Sequence, residues 1–304
     1  MLLHPYLHRT PEGTSLQPFA RKVAGRSRYH AVVLLLPLRT GTIVPGTDLV
    51  AALTNAIMDA GEMLLLQDVL VISSKVVALS EGRCIDLTTL APGAEATDLA
   101  GKIRTRSPAF CEAVLRELDD RQGRLLGTCD GAALTSIHDI LIPNAGLDES
   151  NAPRGCAVGW PEDAPRSAEK LRLALENTLQ QVVSEKTRNE ERGTRNSPRL
   201  GVIVSDSGCV PRRRGVIALA LACSGLSPFS DARGGADLEG RPLTLTVEAT
   251  ADQLAVAANH LMGNAGASIP AVLIRGARVV LKNWTGWIPP ISVAEDLFRD
   301  ILKA

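Results

Sequence analysis

The sequence predicts an α+β protein with mixed or antiparallel sheets and flanking helices. Three observations lead there. Short aliphatic and β-branched runs recur, in AVVLLLPL from Ala31, VLVIS from Val69, GVIV from Gly201 and AVLI from Ala271, as suits strands covered on both faces. Between them, apolar residues fall at helical spacing, at Leu49, Leu53 and Ile57 and again at Leu171, Leu175 and Leu179. The two kinds of segment follow no regular βαβ beat, and no glycine-rich Walker or Rossmann sequence occurs.

The chain of 304 residues is 45% hydrophobic, enough for one large or two modest domains with a real core. Its 33 basic side chains balance 33 acidic ones, so no net field draws it to nucleic acid or to an anionic membrane. The early apolar run Ala31–Leu36 falls far short of the roughly 20 residues of a bilayer span. Residues 1–30 lack the apolar core and cleavage site of a secretory signal, so the cytoplasm is the expected compartment. Six cysteines are scattered without a C-x-x-C pair, which argues for reduced thiols over a zinc knuckle or redox motif. Only Cys209 stands where thiol reactivity would matter.

Residues 1–28 are interrupted by Pro5, Pro11, Gly13 and Pro18 and are expected to form an N-terminal extension; residues 29–304 then form the globular domain. Ala31–Leu38 is expected to be a strand, and Thr47 to cap a helix that buries Leu49, Leu53 and Ile57. Val69–Val77 is expected to be a strand carrying the polar trio Ser73, Ser74 and Lys75. Burying three such groups without partners would cost about 1–3 kcal/mol each, so they should face a ligand or a cleft. Ser107 followed by Pro108 starts a helix with a stripe of Phe110, Val114, Leu115 and Leu118, ended in solvent by Asp119 and Asp120. A strand-like run near Ala133–Ile142 leads into PNAGLDESN, Pro143–Asn151, a loop with no hydrophobic period. A long helix begins at Ser167 and runs to Val183, followed by a polar linker, Thr187–Arg199. Val216–Cys223 is another apolar run, Pro242–Val247 alternates as a half-exposed strand does, and Thr250 with Gln253 forms a capping-box pattern for a helix stopped by Gly263. Ala271–Ile274 is a last strand and Ala294–Leu302 a terminal helix.

The richest stretch for chemistry is Leu200–Val216. Its strand runs into Ser205, Asp206 and Ser207, oxygen donors suited to a hard cation such as Mg2+ or Mn2+. The same residues also suit a plain polar turn bonded to nearby backbone N–H groups. A second acidic loop position, Asp148, would join Asp206 in holding cations that bridge a nucleoside triphosphate, with Asn151 on the nucleotide and Ser207 completing a metal shell. Lys75 suits a phosphate or simply snorkels from a sheet edge; Arg212, Arg213 and Arg214 suit a phosphate, a carboxylate or a solvated turn.

With these residues in place, the chain resembles the coenzyme F420-0:L-glutamate ligase family of gamma-glutamyl ligases. The matching pieces occur in the family's order: PGTDL, DVLVISSKVVALSEGR, NAGLDESN, GVIVSDS, Asp231–Arg241 resembling D-x-x-G-x-x-D-x-x-G-R, and LMGNAGASIPAVLIRG. They cover about Ala31 to Gly276, and nothing after them resembles the flavin-type domain of some relatives. The resemblance implies a two-lobed α+β subunit, paired as a homodimer, that uses GTP and Mg2+ or Mn2+ to extend the cofactor's tail with L-glutamate. It aligns Asp148 and Asp206 with metal-binding carboxylates, Ser207 with a metal-binding Thr or Ser, and Asn264 with a Gln or Glu of the second metal. It aligns Ser74 and Lys75 with a pair holding GTP, Asn151 with a nucleotide-binding Asn, and Leu36 and Pro37 with the first nucleotide loop. The implied chemistry is phosphoryl transfer to a carboxylate and attack of an amine on the acyl phosphate, with Asp148, Asp206 and Arg213 as its catalytic residues.

Several positions depart from the pattern. Leu79 stands for a second Lys, Val210 for an Arg, Arg212 for a Trp and Val216 for a Gln, while Arg213 and Gly215 keep their type. The metal scaffold is thus retained and the acceptor-side turn rewritten, which implies a changed acceptor or weak activity on the usual one. The competing reading is a noncatalytic nucleotide- or metabolite-binding homologue; a purely structural role leaves the trio Ser73–Lys75 unexplained.

Overall fold

A computed structural model describes residues 32–186, 199–292 and 294–299, with the side chains of 180–186 left aside. The expected extension, 1–28, and nearly all of the linker, 187–199, lie outside the described residues. The main sheet contains β1 (Leu34–Leu38), β2 (Val69–Ser73), β8 (Gly201–Gly208), β9 (Ile217–Leu226), β12 (Ala271–Arg275) and β13 (Leu281–Trp287). Their order is β1-β12-β2-β8-β9-β13. Every neighbouring pair is antiparallel except β2 and β8, which run parallel in the middle.

The unbroken apolar runs that predicted strands are explained by cover on both faces. Side chains alternate across a strand. Leu70, Ile72, Val202, Val204 and Leu273 therefore pack on one side against α1 (Leu49–Asp59) and α5 (Ala164–Lys186), through Leu49, Leu53, Ile57, Leu171, Leu175 and Leu179. Val69, Val71, Ile203, Val272 and Ile274 pack on the other against Ala251, Ala255, Ala258 and Met262 of α6 (Thr250–Met262). A further assembly joins α3 (Ala94–Ile103) and α4 (Pro108–Asp120) to an antiparallel sheet of β4 (Arg124–Cys129), β5 (Ala132–Ile137) and β6 (Ile140–Pro143). Phe110, Val114, Leu118, Ile137, Ile142 and Trp160 share its core. Two short pairs complete the description: β3 (Ile85–Asp86) with β7 (Cys156–Ala157), and β10 (Ser230–Asp231) with β11 (Val247–Glu248). The architecture is α+β with mixed and antiparallel sheets. No helix among the described residues is long and apolar enough to cross a membrane.

Several local expectations are corrected. The strand expected over Val69–Val77 ends at Ser73, and α2 (Ser74–Ser80) follows, so the polar trio occupies a strand-to-helix junction. Val76 and Val77 favour strands, but turning the chain buries Val77 in the core, and packing overrides so weak a propensity. Ser205, Asp206 and Ser207 lie within β8, not in a turn beyond it, paired with Ala220, Leu219 and Ala218. Asp48, one residue past the expected Thr47, caps α1 by accepting from the Ala51 N–H. Thr250 and Gln253 form no capping box, since α6 is preceded by Ala249 and has no side-chain cap. The run near Ala133–Ile142 folds as two strands through left-handed His138 and Asp139. Only Val247 of Pro242–Val247 enters a strand, and the described residues 294–299 form turns instead of a helix.

Candidate active site

The site forms where the parallel pair ends. Ser73 at the end of β2 lies opposite Ser205 of β8, so the first turn of α2 emerges beside Asp206. Lys75 there donates to Asp206 Oδ1 at 2.9 Å, with only 6% of the Asp206 side chain exposed. Trp160, fully buried, donates its indole N–H to the other oxygen, Oδ2, at 2.7 Å. The next residue along β8 points the opposite way, as strand geometry requires: Ser207 Oγ donates to Asn264 Oδ1 at 2.8 Å, just past the end of α6.

The second carboxylate arrives on a loop fixed from beneath. Asn144, Ala145 and Gly146 take successive left-handed conformations. Buried side chains hold this turn: Asn144 Oδ1 accepts from the Ala133 N–H and Thr135 Oγ1 from the Ala145 N–H, both at 2.9 Å. Asp148 then exchanges two backbone hydrogen bonds with Val158, at 3.0 and 2.9 Å. Its Oδ1 accepts from Ser150 Oγ at 3.1 Å, and Arg106 lies 3.7 Å away while pairing with Glu149 at 3.0 Å.

These pieces line a single cleft of ≈ 550 Å3. Asp148, Asn151, Lys75, Asp206, Ser207 and Asn264 all border it. The remaining candidates do not. Ser74 is wholly buried, its hydroxyl without a hydrogen-bond partner among the described residues. Leu36 and Pro37 sit half-buried in β1 opposite Leu273 and Val272, whereas Gly41, Thr42 and Ile43 farther along reach the cleft. Arg213 lies on the exposed turn between β8 and β9.

A family model, F420-0:Gamma-glutamyl ligase, matches residues 37–184 and 190–276. The chain belongs to the F420-0:gamma-glutamyl ligase family. Among named relatives, the coenzyme F420:L-glutamate ligase of Methanothermobacter thermautotrophicus is 36% identical over 76% of this chain and 83% of its own. That of Methanopyrus kandleri is 33% identical over 85% and 92%, and that of Archaeoglobus fulgidus 35% over 78% and 86%.

The donor set of this family member fits a hard divalent cation. It consists of two carboxylates, a hydroxyl and an amide carbonyl, with no sulfur or imidazole among them. Alternation along β8 divides these oxygens into two groups, Asp206 towards Lys75 and Trp160 and Ser207 towards Asn264. Of the positions that depart from the ligase pattern, Leu79 and Val216 line the cleft, which Val210 and Arg212 do not.

Trp160, which donates to Asp206, and Arg106, which lies beside Asp148, were missed by sequence reasoning. A lone Trp in GWPED carries no periodic signal, although a buried indole N–H demands an acceptor. Behind Trp160 lies Trp287, with ring centroids 6.0 Å apart, and His138 stacks on Trp287 at 4.2 Å. Desolvation in that stack, helped by the Arg121 charge, lowers the pKa of His138.

Proposed function

We propose that the chain is a metal- and GTP-dependent ligase that joins L-glutamate to a coenzyme F420-0-like acceptor through an acyl phosphate. The observation that carries this reading is that Asp148 and Asp206, from separate parts of the fold, border one cleft together with Lys75. Asp148 and Asp206 would hold Mg2+ or Mn2+, with Ser207 and Asn264 as further oxygen donors; the bound cation would neutralise charge on the phosphates. Lys75, within reach of Asp206, would place its ammonium against the transferring phosphoryl group, and Asn151 would bond the nucleotide. A carboxylate oxygen of the acceptor attacks the γ-phosphorus and GDP leaves. The glutamate amine then attacks the acyl carbon, and phosphate departs as the amide forms. Ile43, Leu79, Val158 and Met262 give the cleft an apolar wall that would keep water from the acyl phosphate. The resemblance further supports a homodimer.

Incubating the protein with GTP, Mn2+, L-glutamate and F420-0 should release GDP and phosphate and add one glutamyl unit to the acceptor by mass. A folded sample that turns over no nucleotide with any acceptor would defeat the reading. The apolar side chains Leu79 and Val216 in the cleft favour a second one, a noncatalytic binder of nucleotide or metabolite. Calorimetry distinguishes the two, since that reading requires binding without turnover.

A further inference from the structure

The partner of Asp206 that carries no charge is the more informative one. Trp160 places its indole N–H 2.7 Å from Oδ2, in a position with no exposure to solvent. A carboxylate so buried needs each oxygen satisfied, but a second cation there would compete with any metal for its charge. An indole N–H donates without adding charge. The ring and the backbone that carries it are held from several directions. Arg121, clamped by buried Glu117, donates to the carbonyl of Pro161 at 2.9 Å, and Trp287 lies alongside. Gly146 has φ +74, and a Cβ there would collide with the indole nitrogen, so the turn leading to Asp148 rests directly on this ring. The same turn returns through the backbone bridge between Asp148 and Val158, two residues before Trp160. One side chain thus touches the supports of both acids.

We infer that Trp160 is a positioning residue for the metal-binding carboxylates: its N–H fixes the rotamer of Asp206, and its ring sets the spacing between Asp206 and the Asp148 loop. The inference rests on the metal-dependent reading above. It assigns Trp160 no contact with substrate. Its effect falls on how tightly the cation is gripped, because partners that orient a metal ligand typically contribute 10–100-fold in affinity.

The experiment is a Mn2+ titration of the full chain with GTP present, following free Mn2+ by electron paramagnetic resonance, on the wild type and on Trp160→Phe, each read against a protein-free control holding the same GTP. Phe keeps an aromatic ring and removes the donor. The expected result is at least about tenfold weaker Mn2+ binding, with metal-free GTP binding unchanged. A merely structural role would weaken both together. Wild-type protein that binds no Mn2+ would remove the reading on which the inference rests, whereas equal Mn2+ affinity in both proteins would overturn the positioning role alone. Should Trp160→Phe fail to fold, the indole N–H proton resonance of the wild type decides. It should move on adding Mg2+ with GTP and again in Asp206→Asn, and a resonance indifferent to either would overturn the inference.

Discussion

At Asp206, two donors of different kind divide one carboxylate, a charged ammonium on Oδ1 and a neutral indole on Oδ2. Removing the ammonium leaves a buried charge half-satisfied, so Lys75→Met should destabilise the metal-free protein by about 2 kcal/mol. A divalent cation supplies the missing charge, and the deficit in melting temperature should narrow when Mn2+ is added. An equal deficit with and without Mn2+ would show that Lys75 and the cation do not share this acid. The thiols provide a second test at this scale. Burial pushes Cys223 up to about 12 and raises Cys111 as well, whereas Cys129 and Cys209 are exposed. Because the thiolate is the reactive form, maleimide at neutral pH should label Cys129 and Cys209 in the folded protein, and Cys111 and Cys223 only after unfolding, as read by peptide mass. Asp148, Asp206, Lys75 and Asn151, which motifs marked in the sequence, do border one cleft. Trp160 and Arg106 were not marked, because their roles come from contacts between distant segments that no local pattern records.

Among elements, the turn under Asp148 and the helix α3 give opposite responses to the same substitution. Gly146→Ala forces a side chain into the Trp160 ring from a left-handed backbone, and the two effects together should cost about 2–4 kcal/mol. Gly101 in α3 is exposed, has no neighbour within 4 Å of an added Cβ and no left-handed φ. Gly101→Ala should therefore stabilise by about 0.5–1 kcal/mol, by restricting the unfolded chain. Denaturant melts of the two variants check both signs. The helices α1, α4 and α5 were readable because their apolar residues repeat at helical spacing, and Ser107 does cap α4, accepting from the Phe110 N–H at 3.1 Å. The helix α3 and edge strand β13 were missed. Small residues such as Ala96 and Ala100 do much of the packing in α3, and β13, LKNWTGW, neither alternates cleanly nor forms an apolar run. The junction after β2 was misread because Val76 and Val77 continue a β-branched pattern across a boundary set by tertiary packing.

On the scale of the whole molecule, the cleft draws its walls from parts of the fold with separate cores. Asp206 and Lys75 belong to the main sheet and its helix α2, while Asp148 follows the small sheet of β4, β5 and β6. A nucleotide and cation gripped by both carboxylates would tie these parts together, and any ligand that binds only the folded state stabilises it by mass action. At a ligand concentration of 100 Kd the gain is about 2.7 kcal/mol, and for a chain of this size each kcal/mol raises the melting temperature by roughly 2–4 °C. GTP with Mn2+ should therefore raise the melting temperature several degrees above either one alone. Asp148→Asn and Asp206→Asn keep the shape of each side chain and remove its charge, so each by itself should abolish most of the extra shift. Combining them should add little, because loss of either acid already breaks the bridge. Two independent, additive losses would mean that the acids serve separate ligands, and the cleft would then have to be understood as two neighbouring sites instead of one.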